Sequence, residues 1–142
     1  IAITECTPFL IDHDAQGVLS LVENDIFKLM QACVIGSFSD DYDMLDFKDE
    51  FAVSCVLSSG QVKNEVIQGL DELQDDTLLA HLNTKQNEYT EYETLGDRVL
   101  VVTTTAKTMS RAATNLYNEI EAIEFRGKHF RKDLCKIPSH IQ

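Results

Sequence analysis

The chain has 142 residues, of which 44% are hydrophobic and 25% are charged, as is ordinary for a soluble globular protein of one domain or two small lobes. Its formal net charge of −12 argues against general binding to nucleic acid or anionic membranes, because a negative long-range field repels polyanions. No signal peptide is recognisable and no apolar stretch approaches the roughly 20 residues of a membrane span, so we predict a cytoplasmic protein.

The first third of the chain is predicted to contain one strand and two helices. Residues 1–5 alternate apolar and polar side chains, a pattern typical of a strand. Residues 18–22 form a short apolar patch with helical spacing. Asn24-Asp25 is expected to cap a second helix that runs to Gly36. The acidic residues 39–50 are predicted to form a solvated loop with one helical turn.

The middle of the chain is predicted to consist of strands. Residues 51–57 form an apolar run that ends in Ser58-Ser59-Gly60. Residues 77–82 predict another strand, and residues 87–94 predict a more exposed one. Leu95-Gly96-Asp97 is typical of a hairpin turn that leads into the next strand.

The remaining segment contains the clearest strand and helix of the chain. Residues 98–105 include four consecutive apolar residues among Val and Thr, which predicts a strand buried on both faces. Residues 108–123 carry apolar side chains at spacings of three and four, which predicts a helix with Thr108 at its N-cap, or Thr105 if the helix begins one turn earlier. A basic tail, residues 125–134, is expected to pack against both and to offer positive charge to a small anion. The predicted fold class is therefore α+β, with a mostly antiparallel sheet and packed helices.

The cysteines predict a reduced chain rather than a disulfide framework. Four are present, far apart and without a CxxC pair: Cys6, Cys33, Cys55 and Cys135. Because three of them lie in apolar runs, we expect reduced and mostly buried thiols.

Two short stretches are candidates for chemistry, and each has an ordinary structural explanation. Asp12-His13-Asp14 has the residue types of a metal or acid–base cluster, but adjacent side chains seldom converge on one ion, which favours a helix cap. Ser58-Ser59-Gly60 follows a buried strand, where hydroxyls and backbone N–H groups often contact a ligand, and an ordinary turn explains it equally well. Glycine-rich phosphate loops and the GxSxG, HExxH and GxGxxG motifs are absent. The residues by themselves do not compose a complete active site.

Several stretches nevertheless resemble the phosphoribosylamine–glycine ligase family, which consists of ATP-grasp enzymes of purine synthesis. Arg98-Val99-Leu100 and the residues after it, through the tail to Leu134, are similar to the pattern GRVLxVT…A…AY…I…F.G…YRxDIG that ends the family. Residues 52–60 resemble its AVxVVLASxGYP strand and turn. Three shorter stretches also match in order: Glu5 to Gln16 with EFNxRFGDPETQ, Ile67 to Leu70 with PIxGL, and His81 to Thr84 with HAGT.

The resemblance implies a fold, a domain division and a reaction. It assigns residues 1–38 to the end of the ATP-grasp region and residues 39–142 to the carboxy-terminal α+β domain, of the rudimentary hybrid-motif type. Intact members join glycine to 5-phosphoribosylamine with ATP and Mg²⁺, in purine biosynthesis. Because the chain resembles only the last third of such an enzyme, we expect it to be inactive alone and to meet phosphoribosylamine, glycine and ATP only through the missing domains. No cofactor, nucleic-acid partner or membrane partner is expected for this chain alone.

The resemblance also implies particular site residues. Glu5 corresponds to a Mg²⁺ ligand, while Ser58, Ser59, Gly60 and Arg98 correspond to residues that bind phosphoribosylamine; none corresponds to a catalytic residue. If this role is correct, the turn of residues 58–60 and the strand start at Arg98 should lie side by side.

The chain departs from the family pattern mainly at ligand positions. Thr7 replaces a metal-binding Asn, and Asp97 replaces the Gly before Arg98. A non-catalytic binding or assembly module built on the same scaffold is therefore one alternative to a ligase, and an unrelated α+β interaction domain is another.

Overall fold

The computed structural model describes residues 12–36 and 45–136, and the side chains of Asp12 and His13 are not included. The described elements, in chain order, are α1 (Asp12–Leu21), α2 (Ile26–Ile35), β1 (Phe51–Ser58), β2 (Leu78–His81), β3 (Thr84–Gln86), β4 (Tyr92–Thr94), β5 (Arg98–Ala106) and α3 (Met109–Ala122). A short 3-10 turn, Leu70–Glu72, precedes β2. Every pairing between these strands is antiparallel, so the predicted α+β class with an antiparallel sheet is confirmed.

The main sheet has three strands in the order β1-β5-β2, which places β5 at its centre. Val99 to Val102 of β5 have no solvent exposure, as the run of apolar residues predicts. Partners on both edges satisfy the backbone of β5, since Val101 lies opposite Val56 of β1 and Ala80 of β2. The predicted central strand is confirmed.

The two faces of this sheet are covered by different helices. Alternate residues of a strand point to opposite faces, so Val53, Cys55 and Leu57 of β1 lie in the core with Leu116 and Ile120 of α3. The opposite face of β1 lies against α1, and Gly17 permits a close approach there, because a Cβ at this position would stand 3.2 Å from Ser54 Oγ. The sheet is therefore a layer between α1 and α3.

The predicted helix boundaries agree with the observed caps. Thr108 accepts a hydrogen bond from the backbone N–H of Arg111 at the start of α3. Asp25 accepts one from the backbone N–H of Lys28 at the start of α2, and Gly36 ends that helix in a left-handed conformation. No helix of the described ranges is long and apolar enough to cross a membrane.

One predicted strand and one predicted turn are wrong. The exposed strand predicted over residues 87–94 is in fact β4 alone, which pairs with β3, and residues 87–91 form the turn between them. The side-chain oxygen of Asn87 accepts from the backbone N–H groups of Tyr89 and Glu91, which closes this turn. Residues 95–97 do not form a hairpin turn either, because β4 and β5 belong to different sheets.

Two predicted segments lie wholly or partly outside the described residues. The strand predicted over residues 1–5 lies outside the described residues, as does the first part of the acidic stretch 39–50.

The prediction of mostly buried thiols holds for one of the three described cysteines. It is wrong for Cys33 and Cys135, which are exposed, and correct for Cys55. Cys33 is exposed because α2 presents most of its surface to solvent. The three described cysteines are free thiols.

Candidate binding site at the end of the central strand

The chain brings the turn of residues 58–60 beside the start of β5. Ser58 lies opposite Arg98 in the register of β1 and β5. The register shifts by one residue between Leu57 and Ser58, and such a bulge often redirects a side chain next to a functional site. The predicted juxtaposition of the turn and Arg98 is therefore present, while the binding role of these residues stays a prediction.

The hydroxyl of Ser58 is held within this turn. It donates a hydrogen bond to the carboxylate of Asp97 and accepts one from the backbone N–H of Gly60, with 3.1 Å between the heavy atoms. Gly60 has a φ of +62°, which an amino acid with a side chain seldom adopts. The Ser58 hydroxyl thus links the two sides of the candidate site.

Ser59 supports the turn from the inside. Its side chain is 1% exposed, and its Oγ lies 2.8 Å from the carbonyl oxygens of both Val62 and Gly96. Its backbone N–H donates to the carbonyl of Asp97 at 2.8 Å. Since a hydroxyl carries one proton, Ser59 has no proton free to donate to a ligand.

The tail packs its backbone against the same turn. Ser58 and His129 exchange two backbone hydrogen bonds, each 2.8 Å long. Gly127 permits this approach, because its φ is +80° and a Cβ there would lie 2.8 Å from the carbonyl oxygen of Ser59. The tail is therefore a structural wall of the turn.

Most cationic side chains of the tail are used by the fold. The ammonium group of Lys128 donates to the carbonyl oxygens of Ile120 and Ile123 and to the carboxylate of Glu124. These two carbonyls belong to the end of α3, where helix carbonyls lack backbone partners. The expectation that the tail offers its positive charge to an anion is therefore wrong for Lys128, which caps α3.

Two arginines of the tail have acidic partners. Arg126 lies 3.6 Å from Glu65, and Arg131 lies 2.6 Å from Asp133. The Arg131 hydrogen bond lowers the pKa of Asp133 below its ordinary value. Arg98 is exposed and makes no ion pair with another residue of the described ranges. It is therefore an exposed cation next to the turn that is available to an anion.

The larger clefts lie away from this turn. One, of about 370 Å³, lies between the far end of β5 and α3 and includes Thr105, Asn115 and Glu119. Another, of about 470 Å³, lies between α1 and β1 and includes Val18 and Val56. The candidate site is thus a surface turn beside the exposed cation Arg98.

The side chains predicted to bind a metal lie, apart from Asp14, outside the described part of the structure. Glu5 lies outside the described residues, and only Asp14 of the stretch Asp12-His13-Asp14 has a described side chain. Within residues 12–36 and 45–136, no group of three or more His, Cys, Asp or Glu side chains is placed to hold a metal ion.

The sequence reasoning missed the contact between Asp97 and Ser58. The available signal was the acidic residue directly before Arg98, at a position where the resemblance predicts glycine. The missing information was the partner of Asp97, because Ser58 and Asp97 are 39 positions apart in the chain.

Comparisons with known proteins agree on one family. The model of the family described as "Phosphoribosylglycinamide synthetase, C domain" matches residues 58–136, which include the turn, β5, α3 and the tail. A bifunctional purine biosynthetic protein from Dictyostelium discoideum is 32% identical over 92% of this chain and 17% of its own length. A phosphoribosylamine–glycine ligase from Halalkalibacterium halodurans is 30% identical over 87% of this chain and 29% of its own length.

A solved structure supports the fold. The crystal structure of phosphoribosylamine–glycine ligase from Thermotoga maritima superimposes with a TM-score of 0.72 at 22% identity. The match covers 87% of this chain and 31% of that protein. The chain therefore spans less than a third of the length of each of these three relatives.

Proposed function

The chain belongs to the family of the phosphoribosylglycinamide synthetase C domain, and from this premise we propose that it is the carboxy-terminal part of a phosphoribosylamine–glycine ligase. The observation that carries the proposal is the family match over residues 58–136, which contains β5, α3 and the whole candidate site. The names of the relatives add purine biosynthesis as the pathway and ligation as the chemistry.

The complete enzyme would join glycine to 5-phosphoribosylamine with ATP. The chain would contribute one wall of the sugar-phosphate site, and the remainder of the ligase would hold ATP and the amino acid. The complete enzyme would use Mg²⁺ as a cofactor, and Glu5 is its predicted ligand. The same assignment implies a cytoplasmic location and small molecules as the partners.

Within this assignment, the turn of residues 58–60 and Arg98 would position the substrate. A guanidinium offers a planar pair of donors that suits a phosphate, and Arg98 is exposed beside the turn. Ser58 and Gly60 would form the rim of the phosphate site. Ser59 would hold the turn in shape through its buried hydroxyl.

The surface of α2 supports a place within a larger protein. Phe27, Met30 and Val34 lie on one side of this helix at spacings of three and four, and Val34 is 88% exposed. Isolated soluble domains rarely leave a large apolar stripe uncovered. The remainder of a ligase would be its natural cover.

A chimeric enzyme tests this proposal. The corresponding carboxy-terminal part of the Halalkalibacterium halodurans ligase would be replaced by this chain, and ADP formation with glycine and phosphoribosylamine would be measured. We expect turnover by the chimera and none above a no-enzyme blank by the isolated chain, which lacks the nucleotide-binding part.

Two variants of the chimera separate binding from folding. Arg98→Ala should raise KM for phosphoribosylamine by about tenfold or more, because a charge-assisted contact to phosphate contributes about 1.5–3 kcal/mol. Lys132→Ala, which removes an exposed cation of the tail, should leave KM within about twofold. A folded chimera without turnover would refute the assignment, and equal effects of both variants would refute the role of Arg98.

A further inference from the structure

We propose that Asp97 weakens phosphate binding at the turn of residues 58–60, because its carboxylate already accepts the hydrogen bond that the Ser58 hydroxyl can donate. Asp97 would thus be a residue that lowers the affinity of the site and acts through Ser58. The inference rests on the proposed role of this turn in binding a phosphorylated sugar, and it adds the effect of the Asp97 carboxylate on the affinity of that site.

The hydrogen bonds of the turn leave few donors for an anion. The single proton of the Ser58 hydroxyl goes to the Asp97 carboxylate, and the backbone N–H of Gly60 goes to the Ser58 oxygen. The backbone N–H of Ser59 goes to the carbonyl of Asp97. A phosphate that enters from solvent therefore finds Arg98 as a donor, and it must displace Asp97 to use Ser58.

The charge of Asp97 acts in the same direction. A phosphate oxygen that took the Ser58 proton would lie about 4–5 Å from the carboxylate that now accepts it. Two unit charges at about 4 Å in a water-like environment change an affinity by roughly fivefold, and more where water is excluded. Asp97 is exposed, so the fivefold figure applies.

The side chain of Asp97 can be changed without removing the backbone bond that shapes the turn. Ser59 donates to the main-chain carbonyl of Asp97, and this bond does not involve the carboxylate. Asp97→Asn has nearly the same shape; it removes the charge and exchanges one acceptor oxygen for an N–H donor, while its remaining oxygen can still accept from Ser58. The variant therefore tests the charge of Asp97 while it keeps the volume of the side chain.

A titration of the chain with ribose 5-phosphate, followed by NMR, tests the inference. The wild-type chain, Asp97→Asn and Arg98→Ala would be compared with the control Asp75→Asn. Asp75 is exposed in the loop before β2, and Leu78 of β2 lies opposite Thr103, at the far end of β5 from Arg98. The control thus removes the same charge at a distance.

We expect a dissociation constant of about millimolar for the wild-type chain, with shifts at residues 58–60 and 98. Asp97→Asn should bind about fivefold more tightly at the same residues, whereas Asp75→Asn should stay within about 1.5-fold of wild type. Arg98→Ala should abolish these shifts. A tighter complex is not expected if Asp97 merely supports the fold, because damage to the turn would weaken binding.

The failures of the two proposals differ in this experiment. If the wild-type chain binds through Arg98 but Asp97→Asn binds equally or less tightly, the inference about Asp97 is wrong and the binding role stands. If Asp75→Asn improves binding as much as Asp97→Asn, only net charge matters and the inference is again wrong. If neither the wild-type chain nor Asp97→Asn shifts residues 58–60 at about 50 mM ligand, the binding role of this turn in the isolated chain fails as well.

Discussion

Replacement of Lys128 by methionine should destabilise the chain strongly, although this lysine belongs to a basic tail with the appearance of a ligand-binding surface. Only 13% of its side chain is exposed, and its ammonium group contacts two main-chain carbonyls at the end of α3. One of them, Ile120 O, would ordinarily accept from the N–H of residue 124, but that N–H donates to Gln68 O instead. Lys128 is therefore the observed partner of an otherwise unpaired helix carbonyl.

The expected loss follows from these contacts. A hydrogen bond from a charged donor contributes about 1.5–3 kcal/mol, and a buried carbonyl left without a partner costs about 1–3 kcal/mol. The ion pair with the exposed carboxylate of Glu124 adds at most about 0.5 kcal/mol. Because Met keeps the packing of the aliphatic stem, we expect Lys128→Met to lower the free energy of unfolding by about 2–4 kcal/mol.

Urea unfolding followed by circular dichroism measures this loss. Lys132→Met is the matched control, since Lys132 is exposed and its ammonium nitrogen lies 5.7 Å from the centroid of the Phe130 ring. The control should lose less than about 1 kcal/mol. A loss below about 0.5 kcal/mol for Lys128→Met, or equal losses for both variants, would refute the capping role.

Two further predictions concern backbone geometry and thiol reactivity. Gly69→Ala should destabilise by more than about 2 kcal/mol in the same urea assay, because Gly69 has a φ of +78° and an added Cβ would stand 1.9 Å from the carbonyl oxygen of Ala122. Gly36→Ala, with a similar φ but open space around it, should cost about 1–2 kcal/mol, and a larger cost than at Gly69 would contradict this reasoning. Burial raises the pKa of the Cys55 thiol, so iodoacetamide should modify exposed Cys33 readily in the native chain and leave Cys55 unmodified until urea unfolds it. Peptide mass spectrometry measures both sites, and native labelling of Cys55 at the rate of Cys33 would show that the core opens there.

The strongest local patterns of the sequence predicted their elements correctly. A run of Val, Leu and Thr predicted β5, because only a strand in the middle of a sheet buries such residues on both faces. Thr108 and the apolar spacing after it predicted α3, and Asp25 with Gly36 predicted both ends of α2. These features depend on residues within a few positions of one another, so the sequence alone contains them.

Tertiary structure decided where the chain turns between β3 and β4 and which groups the charged side chains contact. Tyr89 and Tyr92 are residues typical of strands, so residues 87–94 looked like one exposed strand, but only Tyr92–Thr94 pairs with β3 and residues 87–91 form the turn. Lys128 looked like a free cation because its partners, the carbonyls at the end of α3, exist only once that helix has formed.

The candidate site shows the same division. The resemblance named Ser58, Ser59, Gly60 and Arg98, and the register of β1 and β5 brought the turn and Arg98 together. Ser59 proved to hold the turn, and Asp97 proved to hold Ser58, through contacts that join positions 37 and 39 residues apart. Local spacing carries no information on which polar groups meet across such separations, because the folding of the whole sheet determines their distance and therefore their chemistry.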